Sequence, residues 1–111
     1  MLDAGDTIQG DPSSFYFSHV APEITRPLTV IKMMNWLKYE ALTLGDHDFE
    51  LPTKILKQNI AQAQFSWLPA NISFCNAKHP LFPTYKIIER YGVRVGKLVL
   101  ITPCVPLWID P

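Results

Sequence analysis

Leu44-Gly45-Asp46-His47-Asp48-Phe49-Glu50 is the stretch on which the reading of this chain turns. A strand-like apolar run, Ala41-Leu42-Thr43-Leu44, ends at a glycine. An acid, an imidazole and a second acid follow before Pro52 opens a helix. In open α/β sheets, ligands bind in the crevice at the C-terminal ends of strands, where such turns lie. A second turn with the same layout sits at Leu2-Asp3-Ala4-Gly5-Asp6-Thr7-Ile8-Gln9-Gly10. Two strand ends that each carry Gly-Asp predict two carboxylates converging on one site.

Working outward, Thr25 is a candidate cap and Pro27 a first-turn proline. Leu28, Ile31, Met34 and Trp36-Leu37 then fall near helical spacing, with Lys32, Asn35 and Lys38 between them. This predicts a helix over 26–40. Pro52 starts a second helix over 53–63, with Ile55-Leu56, Ile60 and Ala63 on one face. Strands are expected over 1–4, 41–44, 66–72, 84–90 and 93–102, the last two joined as a hairpin at Tyr91-Gly92. The stretch from Asp11 to Pro22 reads as a loop rich in serine, proline and aromatics, and Ser73 to Pro83 as another. The order β-α-β-α-β followed by a β-hairpin gives an α/β fold class.

Composition bounds the function. Of the 111 residues, 48% are hydrophobic and 18% charged, a globular and not a disordered balance. Ten basic and ten acidic side chains cancel, so no basic footprint points to a nucleic-acid polymer as partner. No apolar run is long enough to span a bilayer, and none resembles a signal peptide. Cys75 and Cys104 fit no zinc spacing and read as buried thiols, with pairing in an oxidising compartment left open.

Four blocks carry a resemblance. Asp3-Ala4-Gly5-Asp6-Thr7-Ile8-Gln9-Gly10 resembles the Gly-Asp…Gln-Gly block of the 5'-nucleotidase and 2',3'-cyclic-nucleotide phosphodiesterase family. Gly45-Asp46-His47-Asp48-Phe49-Glu50 resembles its Gly-Asn-His-Glu-Phe-Asp block. Met34-Asn35-Trp36-Leu37-Lys38-Tyr39-Glu40-Ala41 resembles its helix end, and Leu68-Pro69-Ala70-Asn71-Ile72 one of its strands. The blocks run in order from about Leu2 to about Pro103.

The resemblance implies a calcineurin-like dinuclear metallophosphoesterase, here as a partial α-β-β-α sandwich. It implies divalent cofactors (manganese, zinc, cobalt or iron) and a nucleotide or other phosphate ester as substrate. By position, Asp6 inherits the role of bridging metal ligand, Asp46 that of a second ligand, and His47 that of the catalytic imidazole beside the phosphate or leaving group. Read alone, Asp6 could equally cap a turn, and His47 could be an ordinary surface imidazole. Asp48 and Glu50, which exchange the family's Glu and Asp, are expected to bond to loop amides and not to metal. Asn71 is expected to satisfy backbone, and His19 and His79 to lie on the surface.

Two departures bear on activity. Asp46 puts a full negative charge where the family has a neutral oxygen donor; hard cations accept either, but the added charge repels a phosphate. The family's Asp-x-His strand and its later histidine blocks have no counterpart in this sequence. Residues 1–111 are therefore expected to form a truncated metallophosphoesterase domain, inactive as an isolated chain. The competing expectation is a non-catalytic remnant acting as a binding or assembly module. Unpaired edges and an uncovered apolar face predict a homo-oligomer. Family members are often exported or surface-attached, which leaves the compartment of this chain open.

Overall fold

A computed structural model describes residues 1–22, 28–73, 80 and 82–105. The chain is a mixed α/β structure built from a βαβ unit and a hairpin. Strand β1 (Ala41–Leu42) pairs in parallel with β2 (Ser66–Trp67), and helix α3 (Thr53–Gln62) connects them. Strands β3 (Tyr85–Arg90) and β4 (Val93–Leu98) pair antiparallel. Two isolated parallel bridges, Leu2 to Ala41 and Pro69 to Val99, extend the pairing. The spatial order is therefore Leu2, β1, β2, β4, β3.

Burial explains the order. Ala41, Leu42, Thr43 and Leu44 are all buried, as a parallel strand covered on both faces requires. Helix α2 (Thr29–Trp36) buries Ile31 and Met34, with Leu28 buried just ahead of it, while α3 buries Ile55, Leu56 and Asn59. Leu28, Ile31, Met34 and Leu56 join Ile8, Leu42, Leu44, Leu51, Phe65 and Trp67 in one apolar cluster. Asn59 ties the helices together inside it: its Oδ1 accepts the Leu28 amide at 2.9 Å, and its Nδ2 donates to the Ile55 carbonyl at 2.8 Å.

Several boundaries differ from the sequence expectation. Helix α2 ends at Trp36, not at residue 40. Lys38 adopts φ 54°, the Lys38 amide donates to the Asn35 carbonyl (3.1 Å), and the Tyr39 amide donates to the Met34 carbonyl (3.0 Å). That is a Schellman termination, with lysine in the left-handed position usually held by glycine. The apolar stripe stops with it, since Trp36 is 80% exposed and Leu37 is also exposed. The positions expected to cap this helix, Thr25 to Pro27, lie outside the described residues, as do Cys75 and His79.

The stretch expected as a loop from Asp11 to Pro22 is mostly helical. It forms α1 (Pro12–Phe15) and a π-helical run, Tyr16–Val20. Asp11 caps it by accepting the Ser13 amide at 2.8 Å and the Ser14 amide at 3.1 Å, with Pro12 at the first helical position. The expected first strand is reduced to the Leu2 bridge, and the pairing of 41–44 to Ala41–Leu42. In the 66–72 segment only Ser66–Trp67 and Pro69 pair: the Ser66 and Leu68 amides donate to Glu40 and Leu42, but the next in line, that of Ala70, donates to the Val99 carbonyl instead.

The hairpin forms where expected. Tyr91 and Gly92 both have positive φ, 53° and 78°, as a two-residue type I′ turn demands. Its inner face reaches the first layer. Lys86 Nζ donates to the Glu40 carbonyl and to Ser66 Oγ, Lys97 Nζ donates to the Asp3 carbonyl, and Arg90 pairs with Glu40. Asn71 bonds both backbone groups of Ile101, fixing β4 beside the end of β2. Among the described residues no helix is long and apolar enough to cross a membrane.

Replacing Asn59 with alanine strands the buried Leu28 amide. A buried donor left without a partner costs about 1–3 kcal/mol. Urea unfolding of Asn59→Ala is expected to show a loss in that range with an unchanged m-value; a loss below about 0.5 kcal/mol would mean that water replaces the side chain.

Candidate functional site

The two Gly-Asp turns meet at the C-terminal end of β1. Gly5 has φ 103°, and a Cβ there would lie 2.7 Å from the Gly45 amide nitrogen. A Cβ on Gly45 would overlap the Asp6 carboxylate. Glycine at both positions is thus what lets the backbones touch. Asp6 itself holds φ 56°, a left-handed conformation that aspartate tolerates better than most side chains.

Asp48 locks the contact. It is fully buried, and its carboxylate accepts four backbone amides drawn from both turns. Oδ1 takes Thr7 at 3.2 Å and Ile8 at 3.0 Å; Oδ2 takes Asp6 at 3.1 Å and Gly45 at 2.9 Å. Burial pushes this carboxyl above the usual aspartate range, while the Gly45, Ile8 and Asp6 amides pull it back. A reciprocal bond runs the other way: the His47 amide donates to Asp6 Oδ1 at 3.1 Å. Asp3 supports the first turn, its Oδ1 accepting the Gly5 amide at 2.9 Å and the Thr7 hydroxyl at 2.7 Å.

Asp6, Asp46 and His47 are therefore brought to the same end of the sheet, as the sequence reading expected of Asp6 and His47. Asp46 opens the short 3₁₀ turn His47–Glu50 and is half-buried; the His47 ring is exposed. That ring meets Glu50 Oε1 through Nδ1 at 2.7 Å. The Glu50 bond and charge, then the Asp46 and Asp6 charges, raise the His47 pKa above the ordinary imidazole value. Asp48 binds loop amides as expected, but Glu50 does not. Its carboxylate serves the His47 ring and Gln9 Nε2, the latter at 2.6 Å. The signal for the His47–Glu50 pair was its i,i+3 spacing. The signal for Gln9 was absent, since it is 41 residues from Glu50 in sequence. His19 is exposed and stacks on Phe15, with ring centroids 4.7 Å apart. Cys104 is half-buried with a free thiol.

These groups do not complete a dinuclear metal centre. Among the described residues no cluster of three or more His, Cys, Asp or Glu side chains is placed to hold a metal ion. Asp6 Oδ1 already accepts an amide, and the His47 Nδ1 is engaged by Glu50.

Comparison with known proteins accounts for the shape. No family model matches the chain. It is 29% identical, over 97% of its length, to a 2',3'-cyclic-nucleotide 2'-phosphodiesterase/3'-nucleotidase of Yersinia enterocolitica, of which it covers 18%. The calcineurin-like phosphoesterase YfkN of Bacillus subtilis superposes on 96% of the chain, with a TM-score of 0.79 at 28% identity; 36% of that structure is covered. A 5'-nucleotidase precursor of Thermus thermophilus superposes on 95% of it, with a TM-score of 0.68 at 31% identity and 20% of that structure covered. The chain spans about a fifth of the length of that curated relative.

The raised His47 pKa has a sign. The pairing with Glu50 contributes stability that is fully present below the unfolded imidazole value, about 6.5, and is lost as pH rises through the folded value. Proton NMR titration is expected to place His47 above the ordinary imidazole value, and Glu50→Gln to bring it down. An unmoved His47 titration in that variant would show that Glu50 does not hold the ring. Asp48→Ala, which strands four amides, is expected to cost more than about 2 kcal/mol in urea unfolding.

Proposed function

We propose that this chain, which has part of the calcineurin-like phosphoesterase fold and is similar to nucleotidases and cyclic-nucleotide phosphodiesterases, is a section of a metal-dependent nucleotide phosphohydrolase. In this reading it supplies one pair of site loops. The single observation that carries it is the Asp48 clamp, which presents Asp6, Asp46 and His47 together at a strand end. In a phosphoesterase of this type, divalent ions supply Lewis acidity and hold the attacking and leaving oxygens. Asp6 and Asp46 are the carboxylates this chain offers to such ions. His47 offers an imidazole to a phosphate oxygen, and Glu50 orients that ring and favours its protonated form.

By itself the chain does not turn over a nucleotide in this reading. Two carboxylates do not fix two ions, and misplacing a reacting group by about 1 Å already costs about 10²-fold. The aspartate at position 46 adds charge that opposes a phosphate. A second reading, a binding or assembly module without catalysis, is favoured by the lack of a three-ligand cluster among the described residues.

Phosphate release from a nucleoside monophosphate, a 2',3'-cyclic nucleotide and an aryl phosphate separates these. With manganese, zinc or cobalt added, the rate is expected to stay at the buffer background. Metal-dependent turnover that vanishes in His47→Ala would overturn the inactivity and show that other donors complete the site.

A further inference from the structure

We propose, resting on the phosphohydrolase reading, that Gln9 is a positioning residue for His47: acting through Glu50, it fixes which ring nitrogen the imidazole presents to a phosphate. The three side chains form a line across the two turns. Gln9 Nε2 donates to Glu50 Oε2 at 2.6 Å, and Glu50 Oε1 meets His47 Nδ1 at 2.7 Å. A carboxylate only accepts, so the amide turns its amino group toward Glu50 and the ring carries a proton on Nδ1. With Nδ1 occupied in this way, Nε2 is the nitrogen left to face a ligand.

The His47–Glu50 pair does not hold this geometry alone. Both side chains are largely in solvent, at 58% and 43% exposure. An exposed pair of that kind gains little, because two mobile side chains must be kept in one arrangement. Gln9 supplies the missing constraint from the other turn, 41 residues away. Its own backbone is fixed on both sides. Ile8 before it is fully buried, and the Ile8 amide donates to Asp48 Oδ1 at 3.0 Å. Gly10 after it takes φ 106°, a left-handed conformation suited to glycine. Glu50 is anchored likewise: Leu51 after it is buried in the apolar cluster, and the Phe49 amide before it donates to the Asp46 carbonyl at 3.1 Å. With both backbones held, the bond to Oε2 fixes the plane of the carboxylate and sets Oε1 toward the ring. This link is separate from the Asp48 clamp, which joins the turns through backbone amides. Asp48 sets where the turns lie, and Gln9 sets how the imidazole is turned.

Nitrogen NMR of the whole chain, recorded at a pH where the His47 ring is neutral, reads the tautomer directly. The native chain is expected to hold the form protonated on Nδ1. Gln9→Met keeps the length of the side chain and removes the donor. The two nitrogen shifts of His47 are then expected to move toward each other, as in a mixture of tautomers, while the urea midpoint stays that of the native chain. Gln9→Glu sets two carboxylates against each other and is expected to move them further. Adding Glu50→Gln to Gln9→Glu exchanges the pair. The amide then sits beside the ring, its amino group donating to the carboxylate on the first turn and its oxygen accepting from Nδ1. That double variant is expected to regain the native tautomer, which a merely structural role for Gln9 would not produce. A native ring protonated on Nε2 overturns the proposal. So does a tautomer that Gln9→Met leaves unchanged, and so does a double variant that stays mixed. None of these measurements needs metal or turnover, so the positioning role and the phosphohydrolase reading fail separately: phosphate release decides only the latter.

Discussion

Two segments some forty residues apart bring four backbone amides to one place, and a single buried carboxylate receives them all. An amide buried without an acceptor costs about as much as a lost hydrogen bond, so neither turn could keep its conformation without Asp48. The reverse also holds. A carboxylate with no exposed surface could not remain ionised without donors on both oxygens. The left-handed Asp6 backbone, the Gly5–Gly45 contact and the His47 amide bond to Asp6 all follow from this arrangement. This end of the sheet depends on that interaction more than on any apolar contact.

Around the clamp the charges are unevenly distributed. The Glu50 hydrogen bond, and after it the charges of Glu50, Asp46 and Asp6, favour the protonated form of one imidazole. A phosphate approaching such a cluster meets repulsion from three carboxylates and attraction from one cation. Under the proposed function, the cluster takes a phosphate only when further positive charge neutralises the acids. The same arithmetic makes position 46 more than a conservative exchange, because a carboxylate there deepens the negative well in which any cation and any phosphate must compete.

The clamp residue was legible in part. The layout of the two Gly-Asp turns, the helix after Pro52 and the Tyr91-Gly92 hairpin can be read from residue types, because glycine, proline and alternation act locally. Asp48 and Glu50 are both expected at loop amides from the exchange of acids against the family block, and only Asp48 takes them. Which amides it takes could not be read, since they lie at positions 6, 7, 8 and 45, joined only by the fold. The early end of α2 escaped for a different reason. Its stop signal is a lysine in a left-handed position, and nothing in the residue type distinguishes that lysine from one on a helix face. The Asp11–Pro22 stretch reads as a loop because the aromatic run after Pro12 lacks the apolar spacing that marks a packed helix, although Asp11 and Pro12 form a cap and a first-position proline in the structure.

Likeness of fold and completeness of site rest on different parts of the molecule. Superposition weighs the sheet and helices, whose core of Ile31, Leu42, Leu56 and Trp67 fixes the backbone whatever the loops carry. A two-metal site draws its donors from several strand ends, and each donor is a single side chain that contributes almost nothing to the superposed backbone. The turns after Leu2 and Leu44 are held together by contacts entirely within this chain, so their geometry survives as a unit. Catalysis is not divisible in that way: ligands that act together on one phosphoryl group lose nearly all their effect when some are absent. Likeness of backbone to the phosphoesterases and an oriented acid–imidazole cluster are therefore separate properties, and neither by itself measures the chemistry that the relatives' names describe.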